Sequence, residues 1–268
     1  MKLQKNIPLV LFVFAVNSLV MGCGGKEEPS TQGAESEGKK ETTTSEATSP
    51  VDMATAATIN GKVLFEGTTP KMKKIDMAAE VTCQQMYPEG PRTENVLVNE
   101  NGTLRNVFVY VKEGLGDMEF PTPKESVLLD QKGCRYYPHV IGIQAGQPLK
   151  IRNSDPVAHN IHPKPKNSKS FNISQPVQGM ETTKKFSKPE IMVPIACDIH
   201  SWMSAYVAVL DHPYHSTTGT EGTFELKSLP PGEYVIEAWH EEYGSQTQTI
   251  QVGEGETKEI NFTFKPET

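Results

Sequence analysis

"CDIHSWM", residues 197–203, sets a thiol, an imidazole and a thioether at successive three-residue steps, on Cys197, His200 and Met203. All three are soft or borderline metal donors, and copper is the ion that favours such a set. The segment "NSDPVAHNIH" (153–162) supplies a fourth donor: a strand ends at Asn153 to Asp155, a turn follows, and His159 is the first histidine after it. Two histidines and a cysteine in a trigonal arrangement, with a weak axial methionine, make a blue-copper ligand set, and His159, Cys197, His200 and Met203 provide one. Three ligands on so short a loop converge on one ion only when the loop folds back, while the distant histidine closes the site from behind.

The elements that must hold these residues read as strands, with no helical periodicity. "TINGKVLFEG" (58–67), "NVFVYVKEG" (106–114), "VIGIQAG" (140–146), "PLKIRNSD" (148–155), "AYVAVLD" (205–211), "GTFELKSL" (222–229), "EYVIEAWH" (233–240) and "KEINFTF" (258–264) each alternate or cluster β-formers, and Gly, Pro, Asn or Asp bound most of them. Many short strands separated by turn signals predict an all-β protein built of β-sandwiches.

The N-terminus indicates the compartment. Lys2 and Lys5 precede an apolar run from Ile7 to Val20, long enough for a signal-peptide core and short for a membrane span. "VMGCGG" then places Gly22 before Cys23 and resembles the lipobox of bacterial lipoproteins. That resemblance implies a signal peptide over 1–22, cleavage before Cys23 and a diacylglycerol on its sulfur. Residues 23–56 are rich in Ser, Thr, Glu and Lys with almost no large apolar side chain, the composition of a flexible tether. The expected location is the cell envelope, lipid-anchored, on its periplasmic or extracellular face.

The formal net charge is −7, and −9 without the two lysines of the signal segment, with no basic patch to suit nucleic acid. The four cysteines lie at 23, 83, 134 and 197. With Cys23 lipidated an odd number remains in an oxidising compartment, so one stays unpaired. Cys83 ("VTCQQMYP") and Cys134 ("KGCRYYP") share polar, Tyr-Pro-flanked settings and make a plausible disulfide that leaves Cys197 free; sequence alone leaves the other pairings open.

"AGQPLKIRNSDPVAHNIH" together with the Cys-x-x-His-x-x-Met loop resembles the cupredoxin family of small blue copper proteins, of the plastocyanin and amicyanin type. The resemblance implies a Greek-key β-sandwich over residues 113–212 and a single type 1 copper, with His159, Cys197 and His200 equatorial and Met203 axial. It also implies that Asn160 ties the two ligand loops together, and that His200 presents its ring edge near the surface as the electron entry and exit point. Asp198 departs from the hydroxyl residue common after the cysteine; its carboxylate could still accept from Asn160, while its charge would disfavour the reduced site. Of the other histidines, His162 is expected on the same side of a strand as His159, and His139, His212, His215 and His240 read as ordinary imidazoles of unassigned role. A dinuclear purple site would need a second cysteine in the loop, which holds only Cys197. Trp202 reads equally as a core anchor or an exposed contact ring.

Residues 222–264 resemble the carboxypeptidase regulatory-like domain, a transthyretin-like β-sandwich, through Gly222, Phe224, Tyr234 and the hairpin turn Leu229-Pro230-Pro231-Gly232. Too few strands lie there for a sandwich, so residues 57–112 are expected to supply its opening strands and 213–268 its remainder, with the cupredoxin nested between and a Cys83–Cys134 bridge joining the two. These resemblances imply a non-enzymatic electron carrier whose lipid and tether keep it near redox proteins of the envelope, such as a cytochrome, oxidase or dehydrogenase. A copper nitrite reductase or oxidase would need a further copper site. A copper chaperone or buffer, or a structural surface lipoprotein in which Cys197 is incidental, are the competing readings.

Overall fold

The computed structural model describes residues 51–266. The signal segment, Cys23 and most of the tether lie outside them. Among the described residues, seventeen strands and one short helix follow in order: β1 (Ala57–Phe65), α1 (Val81–Gln85), β2 (Phe108–Glu113), β3 (Val127–Gln131), β4 (Tyr136–Tyr137), β5 (Val140–Gln144), β6 (Leu149–Asn153), β7 (His159–Pro163), β8 (Ile173–Gln175), β9 (Glu181–Lys184), β10 (Glu190–Ala196), β11 (Ser204–Leu210), β12 (His215–Thr217), β13 (Thr223–Leu229), β14 (Gly232–His240), β15 (Gly244–Val252), β16 (Thr257–Glu259) and β17 (Phe262–Phe264). They form an all-β protein with two apolar cores.

One sandwich pairs the sheet β13-β1-β16, with β17 also on β1, against the sheet β12-β2-β14-β15. Its strands come from both sides of the chain's middle third: β1 runs antiparallel to β13, and β2 antiparallel to β14. Alternation explains β1, whose Ala57, Ile59 and Val63 face the core while Lys62 points out. Phe224 and Tyr234 are buried in that same core. The Pro230-Pro231 turn does not close a hairpin, because β13 pairs with β1 and β14 pairs with β2 and β15. It carries the chain from one sheet to the other, which proline suits by ending the ladder on each side.

The second sandwich is built from β3 to β11 only, as sheets β5-β11-β10-β7-β8 and β4-β3-β6-β9. Leu129, Ile143, Leu149, Ile151, Ile161, Phe186, Val193 and Val207 are fully buried between them. A third cluster lies between the sandwiches: Phe108 and Tyr110 of β2 meet Val140 of β5, Met192 of β10, and Ala208 and Leu210 of β11, with Trp239 of β14 against them. Strands covered on both faces lose polar alternation, so β2 ("FVYVKE") and β11 ("SAYVAVL") read as apolar runs.

Between β1 and β2 the chain leaves the first sandwich and lies over the second. Residues 73–75 pair back on 91–93, through Ile75 N–H to Pro91 O and Thr93 N–H to Lys73 O, so the span between them forms a closed strap carrying α1. Met77 and Cys83 of the strap are buried in the core of the second sandwich, and Cys83 is disulfide-bonded to Cys134. Cys197 is the free cysteine among the described residues.

Candidate metal centre

Asn153, at the end of β6, starts the local geometry. Its side chain accepts from Asp155 N–H and donates to Val157 O, folding residues 154–158 into a tight turn that delivers His159 to the start of β7. Asp155 points inward. It accepts from the N–H groups of Gly133 and Cys134, each at 2.7 Å, and its second oxygen also lies 2.9 Å from His159 Nε2. That contact commits Nε2–H to the carboxylate and turns His159 Nδ1 toward the interior. Burial alone would push Asp155 up, but these three donors outweigh it and hold its pKa below the ordinary value.

The ligand loop runs from β10 to β11. Two main-chain bonds fold it back on itself, Met203 N–H to His200 O and Cys197 N–H to Met203 O. As a result His200 Nδ1 stands 3.0 Å from His159 Nδ1 and 4.0 Å from Cys197 Sγ, and one donor atom from each of the three lies within 4.8 Å of the others. All four sequence-derived candidates are enclosed: His159, Cys197, His200 and Met203 are 0%, 4%, 3% and 2% exposed. Cys134, Asp155 and His159 also approach one another, but the Cys134 sulfur is in the disulfide and offers no thiolate.

Hydrogen bonds lower the cost of ionising the cysteine sulfur. Burial pushes the Cys197 thiol up, yet the hydrogen bonds it takes from His159 and from the main-chain N–H groups of Asn160, His200 and Ile199 bring it below the ordinary value. Burial lowers His159 as well, but Asp155 and Cys197 outweigh it and its pKa is raised. His200 is pushed down by burial and by the charge of His159. Two imidazole nitrogens facing each other across 3.0 Å repel through their lone pairs unless a proton or a cation lies between them, and the Cys197 sulfur stands beside them. The donor set therefore fits a soft cation such as copper.

Asn160 joins the two ligand segments. Its Oδ1 accepts from Asp198 N–H at 2.7 Å and lies 3.2 Å from Cys197 Sγ, and its Nδ2 donates to Asp198 and Asn172. The Asp198 carboxylate also meets His162 and Asn172, and those bonds, led by that from His162, hold its pKa down.

Two expectations require correction. Strand alternation places His159 and Ile161 on one face of β7 and Asn160 with His162 on the other, so His162 bonds Asp198 and does not share a side with His159. His200 does not present its ring edge at the surface, because the strap covers it and Glu80 Oε2 stands 3.9 Å from its Nε2. Trp202 acts as an anchor: its Nε1–H donates to Cys134 O, and its ring centroid lies 5.0 Å from that of His200.

None of the remaining histidines joins the cluster. His139 meets Glu241, His215 stacks on Phe108, and His212 and His240 accept from nearby main-chain N–H groups. Sequence reasoning missed Asp155 as the partner of His159, although a carboxylate four residues ahead across a turn was the available signal. It also missed Tyr136, whose hydroxyl bonds Asn160 O and Ala196 O and so clamps the ends of β7 and β10, and Glu80, which no local pattern marks.

Residues 203–265 match the family model of the carboxypeptidase regulatory-like domain. No curated protein matches the chain. Among solved structures, the copper-containing nitrite reductase of Thermus scotoductus SA-01 is 20% identical over 36% of this chain and 25% of its own, at a TM-score of 0.31. A purple cupredoxin of Nitrosopumilus maritimus is 22% identical over 32% of this chain and 99% of its own, at 0.27. An oxidised proline-to-alanine mutant of amicyanin is 16% identical over 31% of this chain and 81% of its own, at 0.28. TM-scores this low carry no functional inference.

Proposed function

We propose that this chain is a lipid-anchored type 1 copper protein that passes single electrons between redox partners of the cell envelope. The observation that carries the reading is the buried convergence of His159 Nδ1, His200 Nδ1 and Cys197 Sγ. With Met203 enclosed beside them, these residues would hold one copper. Bound there, copper would supply a one-electron couple.

The chain's own residues do the rest. Asp155 fixes the His159 ring so that Nδ1 faces inward. The main-chain N–H groups of Asn160, Ile199 and His200, the last 3.4 Å from Sγ, steady the cysteine sulfur. The surrounding apolar core keeps water out and limits movement of the ligands. Enclosure of all four side chains favours a carrier that retains its metal over a chaperone that hands it on.

The anchor rests on the lipobox-like sequence at Cys23; among the described residues no helix is long and apolar enough to cross a membrane. We read the domain division as an insertion, residues 113–212 within a sandwich made of 57–112 and 213–268. Strand pairing across that interval supports it. Limited proteolysis that released 57–112 and left a compact copper-binding remainder would contradict the division. The functional reading is tested by metal analysis and voltammetry: it expects one copper per chain and a reversible one-electron wave. Weak, non-stoichiometric uptake with no wave would overturn it.

A further inference from the structure

The most unusual feature around the site is what covers it. The strap belongs by sequence to the connection between β1 and β2, yet it packs on the other sandwich, directly over the ligand loop. Five contacts hold it there. Cys83 is bonded to Cys134, and Tyr87 Oη–H donates to Gly133 O at 2.6 Å. The Arg135 guanidinium lies over the Tyr87 ring at 5.1 Å and donates to Arg92 O. Arg135 is also ion-paired with Glu94. All five converge on residues 133–135, the segment whose N–H groups hold Asp155 and whose Cys134 carbonyl holds Trp202.

The consequence appears at His200. Its Nδ1 faces the cluster, so its far nitrogen, Nε2, is the atom a partner could steady. Glu80, the residue before α1 and three positions from Cys83, stands opposite Nε2 at 3.9 Å, within ion-pair range. His159 also has a carboxylate on its far nitrogen, closer than Glu80 is to His200: Asp155 stands 2.9 Å from its Nε2, at hydrogen-bond distance. Each candidate ligand histidine thus has a carboxylate behind it, one supplied by the turn after β6 and the other by the strap. A carboxylate accepting from the far N–H of a ligating imidazole fixes the ring's orientation and raises its basicity.

We propose that the strap is a working part of this site: fastened by the Cys83–Cys134 bond, it seals His200 from solvent and positions Glu80 as the acceptor that orients the His200 ring. This rests on the copper reading for its function but not for its geometry. Glu80 acts through His200 and is a positioning residue. The disulfide acts one step further out, by keeping the strap closed.

Two measurements on the full chain test it. In the metal-free protein, hydrogen–deuterium exchange at the Cε1 position of each histidine, read by mass spectrometry, is expected to be slow for both His159 and His200, which are 0% and 3% exposed. Replacing the disulfide (Cys83→Ser with Cys134→Ser) is expected to speed His200 at least ~10-fold while His159 stays slow, which also controls for unfolding. Competition titration with Cu(II) is expected to show Glu80→Ala weakening binding by about 10–100-fold, the usual effect of losing such a partner, and Glu80→Gln recovering most of it through its carbonyl oxygen. Unchanged His200 exchange in the disulfide variant, or Glu80→Ala within about twofold of wild type, overturns the proposal. Absence of stoichiometric copper in the wild type would instead overturn the functional reading, and the exchange measurement would still decide the role of the strap.

Discussion

Asp155 concentrates the logic of the site in one side chain. Three N–H donors, from Gly133, Cys134 and His159, converge on its two oxygens. An amide there would set its own NH2 against at least one of them, so Asp155→Asn is expected to destabilise the metal-free protein by about 1–3 kcal/mol, read as a lower urea midpoint. Because the folded-state pKa is depressed, the carboxylate's contribution is present above the unfolded value of about 3.9 and lost as pH falls below it. The variant should lack that acid dependence. At this scale the ligand candidates were legible because Cys, His and Met at short spacing form a local pattern. Asp155 was half legible, through its turn. Glu80 was not, because only the fold of a distant connection brings it to His200.

Strands were legible where alternation or apolar runs were strong, as in β1, β11, β13 and β14. They were obscure where one face carries polar side chains with structural partners. In β7 ("HNIHP"), His159, Asn160 and His162 are all engaged in the site, so no hydrophobic pattern marks it. "KEINFTF" read as one strand, but it divides into β16 and β17 around Asn261, whose side chain accepts from Lys62 N–H. Packing between elements leaves a sharper mark at Gly142 in β5. A Cβ there would lie 2.5 Å from the His215 ring and 2.7 Å from Phe108, so the missing side chain is what lets β5 approach β2 and β12. Gly142→Val is expected to cost about 1–3 kcal/mol by overpacking, measured by urea denaturation. An unchanged midpoint would mean the two sandwiches separate at no cost.

Across the whole molecule, the two sandwiches are joined by the interface cluster, the strap and a buried pair, His139 with Glu241. Burial alone pushes His139 down, but the hydrogen bond and charge of Glu241 outweigh it and raise its pKa. The pair's contribution is therefore complete below the unfolded value of about 6.5 and is lost as pH rises through the higher folded value. His215 and His240, pushed down to about 4 mainly by burial, act in the opposite sense, losing stability as pH falls below about 6.5. The difference in unfolding free energy between wild type and His139→Ala isolates the pair and should shrink as pH rises from 6 toward 9. A constant difference would show that His139 is not charged in the folded state. Two β-sandwiches were legible from turn frequency and motif, and so was the bridge between them. The closure of the site by a strap from the other sandwich was not, because contacts between residues about 120 positions apart leave no trace in local pattern.

The most direct test of the central claim is the visible absorption and electron paramagnetic resonance spectrum of the full chain titrated with Cu(II), beside that of Cys197→Ser. The thiolate-copper assignment predicts an intense blue colour that saturates at one copper per chain and is lost in the variant. A colourless wild type, or a colour that survives Cys197→Ser, would contradict it.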